Sequence, residues 1–453
     1  MVRVTTLASF AALSFSVYGI ELNADNSDSV KTAASALASG VVKYYNGNET
    51  GEIPGLLSMP YYWWEGGAMF DTLIQYWRLT GDAQYNAITT QALLFQKGED
   101  DFMPMNQTAT IGNDDQATWA LAAMSAAEAG LPVVEGNPKW ESLAAAVFDI
   151  MTLRWDEQTC NGGLRWQIFS FNNGYDYKNS ISTGLFFQLS ARLARYTGNS
   201  TYSDWADKSY TWAKSSGFID EKWSVFDGAH ATKNCTDINK LQPSYDAGTF
   251  ISGAAHMYNL TKADSKWKVP LDGLLNNTLT TFFPGGIATE VMCEESGRCN
   301  TDMRAFKGLL AHNLIDTIQV APYTADAIFP KLKSSAEAAA KVCDDECPLS
   351  WTGTGGEETS SGDLGSQLSA LTVVQGLLVK SVSPPATQAN GGGNASTTTS
   401  PTSGGAANAA VPSGTTSATP SPTTTGNAAA NGIQRLGMGS LGMLLGSVAW
   451  VAL

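Results

Sequence analysis

Leu79-Thr80-Gly81-Asp82 with Tyr85, and Tyr196-Thr197-Gly198-Asn199 with Tyr202, are one joint written twice. In each, an apolar helical run stops at Thr-Gly and the next opens on Asp or Asn. Glycine accepts the left-handed backbone that ends a helix, and a short polar side chain caps the one that follows. Leu260-Thr261-Lys262-Ala263-Asp264 with Trp267 is a third version, and Gly130 to Trp140 and Ala321-Pro322-Tyr323-Thr324 are looser ones. Each joint closes one helix and opens another, so it makes a helical hairpin, and in chain order the last four begin roughly sixty residues apart. Counting both arms, helices are expected near 27–46, 66–80, 82–97, 113–129, 138–155, 178–196, 200–216, 244–260, 264–281, 302–320, 322–342 and 361–380. Six hairpins without a long strand-patterned run predict an all-α fold, an (α/α)6 barrel with a ring of inner helices inside a ring of outer ones. An open solenoid is the competitor, but it needs polar capping repeats and none is evident.

The long connections all fall at the other end of the hairpins, before the helices placed inside: Gly47 to Glu65, Gly98 to Gly112, Asp156 to Tyr177, Phe218 to Pro243, Phe282 to Asn300 and Cys343 to Ser360. Long loops gathered on one face are where function sits, and here they should form a glycan cleft. They carry Tyr61-Tyr62-Trp63-Trp64-Glu65, Leu164-Arg165-Trp166, Tyr175-Asp176-Tyr177-Lys178-Asn179 and Tyr245-Asp246. Aromatic faces suit the apolar faces of sugar rings, and Arg, Asn and Asp hydrogen-bond hydroxyls.

Ile111-Gly112-Asn113-Asp114-Asp115-Gln116-Ala117-Thr118-Trp119 opens the fourth helix. Asn113 reads as its N-cap, with Gln116 completing a capping box. Acids in a first turn also complement the helix dipole by about 0.3–1 kcal/mol, which would explain the two aspartates without any chemistry. Gly112 and Trp119 beside them, and the aromatic clusters elsewhere, favour catalysis. Two carboxyls this close cannot ionise independently, so one should be raised while the other stays an anion held by the helix end. A glycosidase needs that division between a proton donor and a carboxylate facing an oxocarbenium-like transition state.

The chain has 453 residues, is 43% hydrophobic and carries 13 tryptophans, enough for a large core. A net charge of -15 excludes nucleic acid and an anionic lipid surface as partners and leaves a neutral polysaccharide open. Residues 1–19 read as a secretory signal peptide, so Ile20 is the expected mature start. Ser381 to Thr425, rich in Ser, Thr, Gly, Ala and Asn, reads as a flexible stalk, and 381–427 is assigned to it. Leu436 to Leu453 is apolar and uncharged behind a run of small residues, so 428–453 is read as a lipid-anchor (GPI) propeptide with Asn427 or Gly426 as the attachment residue. The expected location is the secretory route, then the outer face of the plasma membrane and the cell wall, with membrane contact through the lipid anchor only.

Six cysteines in a secreted chain imply up to three disulfides. Short loops favour Cys293 with Cys299 and Cys343 with Cys347, leaving Cys160 for Cys235. Zinc is not expected, because His230, His256 and His312 are scattered and no paired CxxC occurs; no other metal or cofactor is called for. Sequons stand at Asn48, Asn106, Asn199, Asn234, Asn259, Asn276 and Asn394.

Between 20 and 380 the sequence resembles glycoside hydrolase family 76, the endo-α-1,6-mannanases, and in particular its lipid-anchored fungal cell-wall members. The resemblance rests on Gly112-Asn113-Asp114-Asp115-Gln116, Cys160-Asn161-Gly162-Gly163-Leu164-Arg165-Trp166 and Tyr177-Lys178-Asn179-Ser180-Ile181-Ser182. Less specific are Tyr62-Trp63-Trp64-Glu65-Gly66-Gly67 and Tyr245-Asp246-Ala247-Gly248, the last departing from the Asn-Gln that secreted bacterial mannanases tend to carry there. The resemblance implies an (α/α)6 barrel and retaining cleavage of α-1,6-mannan, with Asp114 as nucleophile and Asp115 as acid/base. It makes α-mannan or the mannose core of a GPI anchor the substrate and β-glucan a candidate acceptor, through hydrolysis or transglycosylation. The substrate-contacting residues expected are Trp63, Trp64, Asn113, Gln116, Trp119, Arg165, Trp166, Tyr177, Asn179, Tyr245 and Asp246. The chain is expected to act as a monomer. A glycan-binding wall protein without turnover is the alternative from another class, and the intact Asp pair speaks against it.

Overall fold

Gly81 (φ 81°) and Gly198 (φ 74°) take the left-handed backbone that their joints require, and each donates its N–H back into the last turn of the helix it ends. The computed structural model describes residues 19–353 and 361–390. Among them are twelve α-helices: α1 (Ser27–Val42), α2 (Trp63–Thr80), α3 (Asn86–Gln96), α4 (Asn113–Ala129), α5 (Trp140–Leu153), α6 (Ser180–Thr197), α7 (Ser200–Ser215), α8 (Ser244–Leu260), α9 (Ser265–Thr281), α10 (Met303–Val320), α11 (Ala325–Val342) and α12 (Leu364–Gln375). Several boundaries move by two to five residues, and three of the shifts have a visible local cause. Helix α3 starts four residues late, after Asp82 has accepted the Gln84 N–H in a local turn. The start expected at 178 is instead a strand, β1 (Tyr177–Asn179), paired antiparallel to β2 (Gly228–His230), which pairs with β3 (Ile238–Asn239). The last helix gives way at Gly376 to a 3-10 turn.

The even-numbered helices pack in the order α2, α4, α6, α8, α10, α12, and α12 returns to α2, so the ring closes. All residues of α12 are buried, whereas α7, on the outside, buries only Ala206, Ser209, Trp212 and Ala213. A helix buried all round belongs inside. The five joints make five hairpins, and the sixth pair is made by the two ends of the chain, α12 and α1. There, Gln367 of α12 donates to the Leu37 carbonyl of α1.

Small residues let the inner backbones approach. A Cβ built on Gly308 of α10 would lie 2.7 Å from Ser369 Cα of α12, and one on Gly365 would lie 2.8 Å from the Ala305 nitrogen. The three disulfides pair as the spacings predict: Cys160 with Cys235, Cys293 with Cys299 and Cys343 with Cys347. The first ties the connection before α6 to the connection before α8.

Ile20, the expected mature start, donates its N–H to the Ala340 carbonyl, and Ile20 and Leu22 pack against the core. Residues 382–390, assigned to the stalk, stay on the barrel. Ala386 donates to the Glu128 carbonyl, Arg195 donates to the carbonyls of Pro385 and Ala386, and Pro385 is buried. The sequons at Asn48, Asn106, Asn199, Asn234, Asn259 and Asn276 are exposed, although Asn259 already donates its side-chain amide to the Val320 carbonyl. Asn394, Asn427, the signal segment through residue 18, the remainder of the stalk and the 428–453 tail lie outside the described residues.

Gly308→Ala should cost about 1–3 kcal/mol in denaturant unfolding, because the atom its methyl meets is main chain and cannot swing away. A wild-type midpoint would show that α10 and α12 are not held this close.

Candidate active site

All six inner helices begin on the face of the long connections, and most bring an acid into that first turn. Glu65 is third in α2, Asp115 third in α4 and Asp246 third in α8, while Asp302 precedes α10 and Asp363 caps α12. Asp227, on the turn before β2, accepts from the Tyr177 hydroxyl at 2.6 Å and the Asn239 amide at 2.8 Å.

The start of α4 is set by Gly112, and this corrects the expected cap. Gly112 is the N-cap, and its N–H donates to Asp115 Oδ2 at 2.6 Å, so the capping box closes on Asp115 rather than Gln116. Asn113 is instead the first helical residue because its polar groups are committed elsewhere. Its N–H donates to the Trp166 carbonyl, its amide donates to the Arg165 carbonyl, and its oxygen accepts from Arg154 at 3.0 Å. Gln116 donates to the Asp101 carbonyl and accepts from the same arginine. Both are fully buried, so they hold the helix start in place and cannot reach a sugar directly.

Asp114 and Asp115 are half-buried. Burial pushes both carboxyls up, Asp115 to about 6, with the Gly112 N–H pulling it back and the charge of Asp302 opposing. Asp114 is held well above the usual carboxylate range by burial and then by the charge of Asp115, and one of its oxygens has no hydrogen-bond partner in the protein. The two titrate as a pair, in which Asp115 ionises first while Asp114 keeps its proton longer.

Among the aromatics, Trp119 is a correction. It is 0% exposed, lies between the Trp63 and Phe102 rings at 5.2 and 6.0 Å, and donates Nε1–H to the Trp63 carbonyl, so it is core. Trp63 and Trp64 are half-buried at the mouth; Trp63 donates to Gln96, and Trp64 donates to Asp302 Oδ1 at 2.9 Å. Trp166 lies over Gly174, where a Cβ would strike its ring, and its main chain carries the lead-in to α4. Arg165 is tied up: its guanidinium pairs with Asp156 at 2.7 Å and sits over the Tyr175 ring. Asn179 caps α6 by accepting from the Ser182 N–H. Tyr245 is half-buried and stacked on Phe306 at 3.8 Å.

Asp246 is 1% exposed, and neither of its oxygens has a partner. The reason is local: the N-cap of α8 is Pro243, which has no N–H to offer the third residue. Burial and the charges of Asp227, Glu290 and Asp114 hold Asp246 protonated well above the usual range.

The structure thus brings Asp114, Asp115, Trp63, Trp64, Trp166, Tyr177 and Tyr245 to the mouth with some surface open. It sets Asn113, Gln116, Trp119, Arg165, Asn179 and Asp246 behind them. Asp227 and Asp302 were missed; the signal for Asp302 was its place just ahead of an apolar helical run, where Asp is a common cap.

Trp119→Ala should destabilise by about 3–5 kcal/mol, whereas Trp64→Ala should leave the unfolding midpoint within about 1 kcal/mol of wild type. Equal losses would place Trp64 in the core.

The raised acids also make stability depend on pH. Glu65 is raised to about 8 and Glu290 to about 7, both by burial first. Such groups stabilise the fold fully below their unfolded value of 4.5 and lose that contribution as pH rises through the folded one. His256, lowered by burial to about 4, works the other way only up to its unfolded value of 6.5. The melting temperature should therefore fall between about pH 6.5 and 8, and Glu65→Gln should blunt the fall. A melting temperature that rises over that interval would contradict the assignment.

The sequence model described as glycosyl hydrolase family 76 matches residues 29–389. Mannan endo-1,6-alpha-mannosidase DCW1 of Saccharomyces cerevisiae is 42% identical over 383 residues, covering 82% of this chain and 84% of that one. The crystal structure of Dfg5 from Chaetomium thermophilum in complex with glucosamine superposes with a TM-score of 0.77 at 43% identity, over 82% of this chain and 95% of that one. An inactive variant of the alpha-1,6-mannanase GH76A of Salegentibacter sp. HEL1_6, with two neighbouring Asp-to-Asn substitutions and bound alpha-1,6-mannotriose, shares the fold. It gives a TM-score of 0.63 at 16% identity, over 77% of this chain and 99% of that one. A helical barrel with paired aspartates at the head of an inner helix, matched over most of its length, makes this chain a member of glycosyl hydrolase family 76 and a glycoside hydrolase.

Proposed function

We propose that the protein is an endo-acting, retaining α-1,6-mannosidase of fungal cell-wall biogenesis, working through a covalent mannosyl-enzyme on Asp114. The reading of substrate rests on the relatives. They are named for mannan endo-1,6-alpha-mannosidase activity, and the Salegentibacter enzyme holds alpha-1,6-mannotriose once two neighbouring aspartates are replaced. The Chaetomium protein binds glucosamine, whose amine is cationic, and a mouth carrying Asp227 and Asp302 would suit such a sugar. That favours the mannose core of a GPI anchor as a natural substrate alongside α-mannan. The apolar ends of the sequence support a secreted, lipid-anchored enzyme at the outer face of the plasma membrane and in the wall.

The observation that carries the mechanism lies above Gly112. A Cβ built there would touch Asp114 Oδ1 and lie 3.3 Å from Asp115 Oδ2. One point in contact with both puts those oxygens no more than about 6 Å apart, below the ~6.5–9.5 Å that leaves room for an inverting enzyme's water. Asp114 is the harder of the two to ionise, so substrate must reverse the order, with the shared proton passing to Asp115. A glycosidic oxygen beside Asp115 accepts the proton, and positive charge growing at the anomeric carbon favours the Asp114 anion. The glycosidic C–O bond breaks as Asp114 bonds to carbon; Asp115, now the base, then deprotonates an incoming water or sugar hydroxyl, whose oxygen bonds to the anomeric carbon as the bond to Asp114 breaks. Water gives hydrolysis; a β-glucan hydroxyl gives transglycosylation from the same intermediate.

Asp114→Asn should abolish turnover with the fold intact. Asp115→Ala should lose about 10²–10⁴-fold on α-1,6-mannan oligosaccharides and recover in part on substrates whose leaving group needs no proton. Recovery in an Asp114→Ala variant instead would exchange the two roles. Proton NMR of the first-formed product should show the α anomer; the β anomer would mean inversion. Mass analysis of products formed with and without a glucan acceptor separates hydrolysis from transfer.

A further inference from the structure

Phe171, on the connection before α6, is 72% exposed, and its ring lies parallel to that of Phe169, centroids 5.3 Å apart and planes within 7°. Burying a phenylalanine is worth about 1.5–3 kcal/mol, so leaving one in water forgoes a gain that loops ordinarily take by folding it inward. The segment that carries it is also well fixed. Asn172 donates its N–H to the Phe169 carbonyl, and Asn172 Nδ2 donates to the Ala109 carbonyl at 3.0 Å and to Gln167 Oε1 at 3.1 Å. Tyr175 and Tyr177 donate back into the same turn, to the Asn172 and Gly174 carbonyls.

The place of this turn matters as much as its shape. At its root Gly112 and Gln167 form an antiparallel bridge, and the Asn113 N–H donates to the Trp166 carbonyl. The platform thus grows from the strip that positions the next two residues, Asp114 and Asp115. Phe169 is two residues beyond Gln167, a reach of at most about 7 Å. A rigid apolar plate on the strip that leads into the catalytic pair, with polar Ser170, Asn172 and Asn173 around it, matches one pyranose ring: an apolar face to stack on and hydroxyls at its edge.

We propose that the Phe169–Phe171 pair is a sugar-binding platform outside the catalytic subsites, which stacks a ring of the glycan chain some way from the bond that is cut. The proposal rests on the glycan-acting reading above and adds to it a subsite that only longer chains can fill.

The test is a chain-length series of α-1,6-mannooligosaccharides with wild type, Phe171→Ala and Phe171→Trp, together with affinity electrophoresis of the same proteins in α-mannan and β-glucan gels. For the longest substrate, Phe171→Ala should raise KM about three- to tenfold, the range of a single aromatic stacking contact. It should leave kcat and the melting temperature unchanged and have no effect on the shortest substrate cleaved; Phe171→Trp should restore the longer ones. An equal loss on short and long substrates, or none on either, overturns the platform. If wild type cleaves none of the series, the mannosidase reading fails by itself. The gels then decide the platform: retardation by either polysaccharide that Phe171→Ala weakens supports it, and retardation that is unchanged or absent overturns it.

Discussion

Six helix N-termini share one face of the ring, and that constraint governs the rest of the molecule. Each end presents unpaired N–H groups and roughly half a positive charge, and both need answering. The chain answers with acids, Glu65, Asp115, Asp302 and Asp363, with Asn179 serving α6, while Asp246 at the head of α8 is left without a partner. Once gathered, the acids repel one another and lose water, so several keep their protons above the usual range. A set of carboxyls that can hold or release protons near neutrality is what acid and nucleophile chemistry needs. Catalytic potential is therefore a by-product of capping six parallel helices, made specific where Gly112 leaves room for two carboxyls at one helix end.

The opposite end has the reverse problem. Helix C-termini converge there, and Arg78, Arg192 and Arg195 meet them, paired with Asp316 at 3.1 Å for Arg78 and with Glu128 at 2.6 Å for Arg192. His312 faces Asp71 and Asp316, and Pro385 with Ala386 closes over Arg195. A buried ion pair of this kind adds little net stability over an apolar pair, but breaking it costs about 3–5 kcal/mol, so it fixes which residues can occupy the floor. Charge is thus sorted along the barrel axis, acids at the mouth and paired arginines below.

How far the sequence could be read followed from whether a feature is local. Hairpin joints are local, and their glycines and capping residues placed most helices to within a few residues. Short loops are local, and the cysteine pairs followed. Whether a polar residue touches substrate or only supports one that does is not local. Asn113, Gln116, Arg165 and Asn179 stand in the motifs beside the catalytic pair, yet each is spent on main chain or on another side chain. Trp63 and Trp119 are alike in type and both flank the site, but only tertiary packing decides that Trp119 sits between two other rings.

By itself the sequence determined the all-α class, the five hairpin joints, the side of the barrel that carries the long connections, and the aspartate pair at a helix start. These follow from periodicity and capping, which act over a few residues. Only the tertiary structure decided that α12 meets both α1 and α2 to close the ring, and that Asp246 is buried facing Asp227, Glu290 and Asp114. It alone set Asp115 rather than Gln116 as the partner of Gly112, and left Phe171 in water on a turn hung from the catalytic strip. Each of these depends on residues far apart in the chain or on the competition among polar groups for a few donors, which is settled only when the barrel closes.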